Sequence, residues 1–411
     1  MKYGLIGEKL EHSYSKIIHG MLGNSLYELK EIAPEDLDEF MTKRDFLGIN
    51  VTLPYKQAVI PYLDEIDDSA KNIGAVNTIV NRDGKLYGYN TDYYGMIELF
   101  HHAKVDPHGK KAVILGSGGT SKTARAVLTT LGAREILTVS RSGENSTVTY
   151  NELYEKHSDT QIIVNTTPLG MYPNIYGCPI DISRFDSLSG VIDAIYNPIN
   201  TTLVQKARNV GIAAEGGLYM LVGQAAIAYE KFFDNDKGSA LIDKIYTELK
   251  NDKENIVLIG MPASGKSTVG KILAERLDRQ FVDTDDIITE RIGMPISDFF
   301  KIEGEGRFRE IEAEVIKELA NKTSLVIATG GGAILRHDNV ENLKYNGRLF
   351  FIDRPLNKLV PTESRPLSSD RASIEKRYNE RYSIYCRICE AHIDADCDAN
   401  RVAERILENY R

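Results

Sequence analysis

The nine residues Gly260-Met-Pro-Ala-Ser-Gly-Lys-Ser-Thr268 constrain this chain more than any other stretch. They read G-x-x-x-x-G-K-[ST], follow the apolar run Ile256, Val257, Leu258 and Ile259, and lead into Val269, Ile272, Leu273 and Leu277. Strand, glycine loop and helix in that order make a phosphate-binding P-loop. Loop residues Gly260, Ala263, Ser264, Gly265 and Thr268 offer backbone amides to the phosphates of a nucleoside triphosphate, and Lys266 reaches the transferred group. Ser267 and Asp283, the latter ending the strand that starts at Gln280, supply a Mg²⁺ shell. The motif sits about three fifths of the way along, so one domain must finish before it and a smaller nucleotide-binding domain must begin with it.

At 411 residues the chain exceeds a single ordinary core, and about 150 residues per domain suggests two or three. Its 42% hydrophobic and 27% charged content is that of a soluble globular protein, and no apolar run nears the roughly 20 residues of a membrane span. Glu8 appears before any long apolar region forms, which argues against a secretory signal and for the cytoplasm. A net charge of -9 disfavours broad nucleic-acid binding, while small anionic ligands need only a few local Arg or Lys. Cys386, Cys389, His392 and Cys397 could be read as zinc ligands, but a helical pattern holds the first two on one turn, so the bland reading is the stronger.

The first segment, to about residue 105, opens with a buried strand at Tyr3 to Gly7 and a polar loop carrying Ser13 and Ser15. An alternating strand pattern in Gly48-Ile-Asn-Val-Thr-Leu-Pro-Tyr-Lys56 ends at Pro54 and delivers Lys56 just beyond it. Asn77, Thr91 and Asp92 stand at the ends of further apolar runs, where sheet proteins hold polar groups over a crevice. Taken singly, each is as well explained by a turn or a solvated surface.

Together, His12-Ser-Tyr-Ser15, Asn50-Val-Thr-Leu-Pro-Tyr-Lys56, Gly74-Ala-Val-Asn-Thr-Ile79 and Asn90-Thr-Asp92 closely resemble shikimate dehydrogenase. The resemblance implies that Lys56 and Asp92 form the catalytic pair, with Ser13, Ser15, Asn50, Thr52, Asn77 and Asp92 around the substrate ring. The residue types suit the chemistry: hydride addition leaves negative charge on a ketone oxygen, which an ammonium can stabilise and then protonate.

From about 106, Lys111 to Leu115 forms a buried strand leading into Gly116-x-Gly118-Gly119-x-Ser121, where helix amides can meet a pyrophosphate. The next strand, Glu135 to Val139, ends in Ser140 and Arg141. Arg141 stands where an NAD enzyme places an acid, and it suits the 2′-phosphate of NADP. Gly143-Glu-Asn145 occupies the region where family members often have a second basic residue, so the preference over NAD is expected to be modest. Asn165-Thr-Thr-Pro-Leu-Gly-Met171, Asp193-Ala-Ile-Tyr-Asn-Pro198 and Gly216 to Gln224 resemble family segments near the nicotinamide. They would place Thr166, Gly217 and Met220 at the cofactor and Tyr196 and Gln224 at the substrate. Helices from about 225 to 250 would return to the first lobe, and Lys250 to Asn255 would be a polar linker.

The last segment, 256–411, resembles shikimate kinase through Asp283-Thr-Asp285, Gly304-Glu-Gly-Arg-Phe-Arg309, Thr329-Gly-Gly-Gly-Ala333, Arg365 and Arg381. The resemblance implies Asp285 at the acceptor hydroxyl, a carboxylate clamp of Arg309 and Arg381, and amides of Gly330, Gly331 and Gly332 against the ring. Arg365 would lie on the lid and steady phosphoryl charge beside ATP. The lid stretch Pro355 to Pro366 departs from the family in being short and carrying Pro361-Thr-Glu363, and Lys358 would stand for an adenine-stacking Arg.

The expected architecture is α/β throughout: an α/β substrate domain (1–105), a Rossmann-type NADP domain (106–224), and a P-loop kinase domain with a central parallel sheet (256–411). The chain would reduce 3-dehydroshikimate with NADPH and phosphorylate the product with ATP and Mg²⁺. Alternatives are a quinate or shikimate dehydrogenase with a weak or inactive kinase, and a ligand-sensing regulator without turnover. Intact Lys56, Asp92, Lys266 and Asp285, and the lack of a basic helix-turn-helix region, argue against the regulator. The oligomeric state is left open.

Overall fold

The computed structural model describes residues 1–10, 13–141, 147–360 and 370–410. The chain divides into two units, Met1–Leu249 and Lys250–Arg411. Among the described residues no helix is long and apolar enough to cross a membrane.

The first unit holds two sheets. One is six-stranded and mixed, in the order Tyr27–Glu31, Tyr3–Gly7, Gly48–Val51, Thr78–Arg82, Lys85–Tyr89, Glu65–Ile66. The turn joining Arg82 to Lys85 uses Asp83 and Gly84, both at positive φ (53° and 86°), the backbone a two-residue hairpin demands. The other sheet is five-stranded and parallel, in the order Ala213–Glu215, Gly190–Asp193, Ile162–Asn165, Lys111–Leu115, Glu135–Val139. Its middle strands are buried along their whole length, as expected when helices cover both faces.

Helix Thr91–His102 packs along helix Leu218–Phe233 at unusually close range. Gly95 makes this possible: a Cβ there would stand 2.6 Å from the Met220 carbonyl, and one on Gly223 would stand 3.3 Å from the Gly95 Cα. The helix that carries Asp92 is thereby fixed against the helix that carries Met220 and Gln224.

In the second unit the sheet is parallel, in the order Gln280–Asp283, Leu325–Ala328, Asn255–Ile259, Gly347–Asp353, Ala391–Asp394. Its central strand is fully buried at Ile256, Val257, Leu258 and Ile259, each worth about 1.5–3 kcal/mol on removal from water. The P-loop therefore springs from a fully buried strand at the centre of the sheet. Helix Ile296–Leu319 is broken at Gly304, whose φ of 81° no helix tolerates.

One expectation is corrected here. The stretch 250–255 is not an open linker: it is the end of helix Ile242–Lys253 and the start of strand Asn255–Ile259. Its lack of glycine and proline permits the helix to run on, and its Asp252 carbonyl accepts from Arg279 Nη2 at 3.2 Å.

Candidate active sites

Strand Gly48–Val51 leads through Thr52 to the cis Leu53–Pro54 bond, and the following turn is pinned by Val76 N donating to Lys56 O at 2.8 Å. Lys56 Nζ then lies 2.6 Å from Asp92 Oδ2 in the first turn of helix Thr91–His102. The two side chains remain 27% and 19% exposed, so this ion pair faces a crevice and not the core. Ser13 Oγ donates to Ser15 Oγ at 3.1 Å, and Tyr14 between them rests on Tyr196 with ring centroids 5.6 Å apart. The serine loop and the Asp193–Pro198 loop are thus neighbours.

Beneath the pair runs a buried hydrogen-bonded chain. Tyr27 OH donates to Asn50 Oδ1 (2.7 Å), and Asn50 Nδ2 donates to Thr78 Oγ1 (2.9 Å) and to Asn77 O (3.3 Å). Thr78 Oγ1 donates to Asn77 Oδ1 (3.1 Å), which also accepts from Thr91 N (2.7 Å) at the start of the Asp92 helix. Both amide hydrogens of Asn50 are committed inside the protein, so Asn50 positions its neighbours. Asn77 commits its oxygen only; among the described residues nothing accepts from its NH₂. The Thr52 hydroxyl is likewise without a partner among the described residues, while Gln224 Nε2 turns back to Leu221 O at 2.9 Å. His19 is fully buried, stacked on Tyr27 with centroids 3.8 Å apart. Burial holds its pKa down at about 3, with Asn50 opposing.

At the parallel sheet, Gly116 (φ 102°) lies against Thr166, whose Oγ1 would be 2.9 Å from a Cβ there and donates to Leu115 O at 2.7 Å. Gly118 caps helix Gly119–Thr130 without any side-chain hydrogen bond, and a Cβ on Gly118 or Gly119 would meet nothing within 4 Å. Protein packing does not require glycine at either place, whereas a ligand approaching the helix amides does. Ser121 and Ser140 are buried beside this turn and Arg141 is exposed at the strand end. Behind it, Asp193 is fully buried and accepts from Asn165 Nδ2 (2.9 Å), Ile195 N (3.0 Å) and Thr201 Oγ1 (2.7 Å). Burial pushes its carboxyl up to about 6, against those three hydrogen bonds. One side chain thus ties the Thr166 loop to the Tyr196 loop. Gly217 begins helix Leu218–Phe233 where any Cβ would strike Ala194 O, and Met220 is part of the core.

In the second unit Lys266 Nζ donates to Gly260 O (3.0 Å) and Met261 O (2.8 Å), and Ser267 Oγ donates to Asp283 Oδ2 (2.6 Å). Asp283 Oδ1 accepts from Asp285 N at 3.0 Å, which caps helix Thr284–Ile292 and fixes the Asp285 backbone. Ser264 is buried within the loop, and Ala263 (φ 64°) and Gly265 (φ 97°) hold its left-handed turns. A Cβ on Gly330 would stand 2.9 Å from Asp285 Oδ1 and 2.8 Å from Glu312 Oε1, so only glycine fits between these carboxylates. The guanidinium of Arg309 lies against Gly332 and donates to Glu312 Oε2 (2.8 Å) and Glu305 Oε1 (2.9 Å). Gly331 O accepts from Arg381 Nη1 (3.0 Å) and Tyr385 OH (2.5 Å). Glycine loop, both arginines and Asp285 therefore converge. Burial lowers the Arg381 pKa, and the same cause pushes the wholly buried Glu312 carboxyl up while Arg309 opposes it.

A family model described as shikimate dehydrogenase substrate binding domain matches residues 5–79, and one described as shikimate kinase matches residues 262–411. The shikimate dehydrogenase (NADP(+)) of Clostridium beijerinckii is 39% identical over 267 residues, covering 61% of this chain and 98% of that protein. The chain belongs to the shikimate dehydrogenase family. Shikimate dehydrogenase 1 of Peptoclostridium difficile superposes with a TM-score of 0.55 at 39% identity, over 61% of this chain and 98% of that one. The enzyme of Thermus thermophilus, solved in complex with NADP(H) and shikimate, gives 0.54 at 26% identity, over 60% and 99%. Past this dehydrogenase part the chain carries a shikimate kinase domain.

Seen as a dehydrogenase joined to a kinase, the molecule shows features that sequence reasoning missed. Tyr27, His19 and Thr78 lie behind the Lys56–Asp92 crevice, Asp193 joins the Thr166 and Tyr196 loops, and Glu312 and Tyr385 fix Arg309 and the Gly331 carbonyl. The spacing Arg309-x-x-Glu312, one helical turn, was the available signal for Glu312. Lys358, expected at an adenine, is ion-paired with Asp396 at the exposed surface. Arg365 lies outside the described residues. The residues present fit the two families' cofactors: bare glycines at an uncapped helix start for NADP(H), and the Lys266 cradle with the Ser267–Asp283 pair for ATP and Mg²⁺.

Proposed function

We propose that the chain catalyses two consecutive reactions: NADPH-dependent reduction of 3-dehydroshikimate to shikimate, and ATP-dependent phosphorylation of the shikimate 3-hydroxyl. Residues 1–105, with the helices from about 225, serve as the substrate lobe, 106–224 as the NADP lobe, and 256–411 as the kinase. The observation that carries the first reaction is the Lys56–Asp92 pair, 2.6 Å apart and open to a crevice.

When bound, NADPH supplies the hydride. Lys56 Nζ stabilises the negative charge that develops on the carbonyl oxygen and gives it a proton, and Asp92 keeps the ammonium aimed. Ser13, Ser15, Thr52 and Asn77 hold carboxylate and hydroxyls, through groups that the protein itself leaves free or only mutually bonded. In the kinase, ATP with Mg²⁺ supplies the phosphoryl group. Asp285 orients the acceptor hydroxyl and takes its proton, Arg309 and Arg381 hold the substrate carboxylate, and Ser267 with Asp283 hold the metal. Lys266 exchanges its carbonyl partners for phosphate oxygens.

Initial rates with 3-dehydroshikimate and 3-dehydroquinate, each with NADPH and NADH, test the first half. The reading expects the NADPH and dehydroshikimate combination to lead. Faster turnover of dehydroquinate, or of NADH, would move the assignment to a quinate or NAD enzyme.

A further inference from the structure

We infer that Arg354 is a nucleotide-contacting residue of the second unit, giving its guanidinium to a phosphate of the ATP seated in the P-loop; this rests on reading that loop as the kinase's ATP site. Arg354 directly follows strand Gly347–Asp353, which pairs in parallel with the P-loop strand in the register Ile259 opposite Phe351. Both strands end at the carboxyl edge of the sheet, where ligands of open α/β sheets bind. The two segments touch at the loop itself: a Cβ on Gly260 would lie 2.7 Å from Ile352 O.

Arg354 then reaches the other end of the loop. Among the described residues, Gly265 and its chain neighbours aside, its Nη1 lies nearest to where a Cβ on Gly265 would stand, at 4.0 Å. Gly265 immediately precedes Lys266 and the helix whose amides form the phosphate nest. A cation at that spot stands beside the place where the nest would hold an anion.

Unlike the other arginines of this unit's centre, Arg354 is uncommitted. Its Nε is buried and without a hydrogen-bond partner, and no carboxylate pairs with it among the described residues. The adjacent Asp353 forms no ion pair with it; Asp353 Oδ2 accepts from Tyr382 OH at 2.9 Å and lies 2.7 Å from His392 Nε2. The residue as a whole is half-buried, so a guanidinium without a carboxylate partner remains available to an anion. Lys358, a further cation after the same strand, is held by Asp396. Arg354 thus supplies the positive charge that Lys358 does not.

The test uses the full chain and Mg·ADP titrated by calorimetry, with steady-state kinase kinetics alongside. A charge-assisted hydrogen bond to phosphate is worth about a tenfold to hundredfold change in affinity. Arg354→Gln is expected to weaken ADP and raise the KM for ATP by that factor, leaving the KM for shikimate within twofold and the unliganded melting temperature unchanged. Arg354→Lys, which keeps the charge, is expected to recover part of the loss and covers the case of a misfolded glutamine variant. ADP affinity within twofold of wild type in both variants would overturn the inference, as would an equal rise in both KM values, which marks general damage. Wild type that binds no ADP at all would instead bring down the ATP-site reading, and this inference with it.

Discussion

Replacing Lys56 by Met tests the dehydrogenase chemistry at its centre. The substitution keeps most of the aliphatic stem and removes the ammonium that sits 2.6 Å from Asp92. Because the pair is partly solvent-exposed, its worth to stability is small, about 0–1 kcal/mol, and the fold survives. Turnover has no such cushion. A positioned general acid contributes about 10²–10⁴-fold, so the barrier should rise by roughly 3–5 kcal/mol. Asn77, Thr52 and the serine pair are untouched, so the KM for the acid should stay within about threefold, the pattern of an interaction made mainly in the transition state. The assay is NADPH oxidation with dehydroshikimate, with ADP formation from added shikimate as an internal check that the second unit is intact. Turnover within threefold of wild type would refute the role of Lys56.

Four further outcomes follow from the geometry. Tyr27→Phe strands Asn50 Oδ1 in the core and should cost about 1–3 kcal/mol of stability in the first unit, measured by urea denaturation, with a raised KM for dehydroshikimate. Glu312→Gln leaves Arg309 with Glu305 alone at its side and should raise the kinase KM for shikimate by about tenfold or more while NADPH oxidation is unchanged. His19 has an ordinary pKa near 6.5 when unfolded and about 3 when folded, so its contribution is full above pH 6.5 and is lost as pH falls from there toward 3. Pulse proteolysis of the first unit should show wild type losing about 1.4 kcal/mol per pH unit more than His19→Gln across that window, and parallel slopes would contradict the burial argument. Lys266→Ala should abolish ADP formation and spare NADPH oxidation, as followed in one cuvette.

The fold was legible where a pattern has one physical meaning. A glycine loop between a buried strand and an amphipathic helix folds only one way, and both Gly116–Ser121 and Gly260–Thr268 did so. The clustered candidates Ser13, Ser15, Lys56, Asn77 and Asp92 were found by motif order, and the chain brings Lys56 and Asp92 into contact. What sequence could not reveal were the groups whose work is done out of sight. Tyr27 and His19 look like any aromatic and any helix histidine until Asn50 lands beside them. Asn50 was expected beside the substrate ring, and only geometry shows that both its amide hydrogens also bind within the protein. The segment 250–255 looked like a linker from polarity alone, yet polar residues without glycine or proline are equally good helix ends.

The central claim, that one chain makes shikimate and then phosphorylates it, is tested most directly by a single reaction. Full-length protein is given 3-dehydroshikimate, NADPH, ATP and Mg²⁺, and NADPH loss and ADP formation are recorded separately, with no shikimate added. The account predicts NADPH loss at once and ADP formation after a lag, approaching one ADP per NADPH consumed. ADP formation that never follows NADPH loss, or that proceeds without it, would contradict the claim.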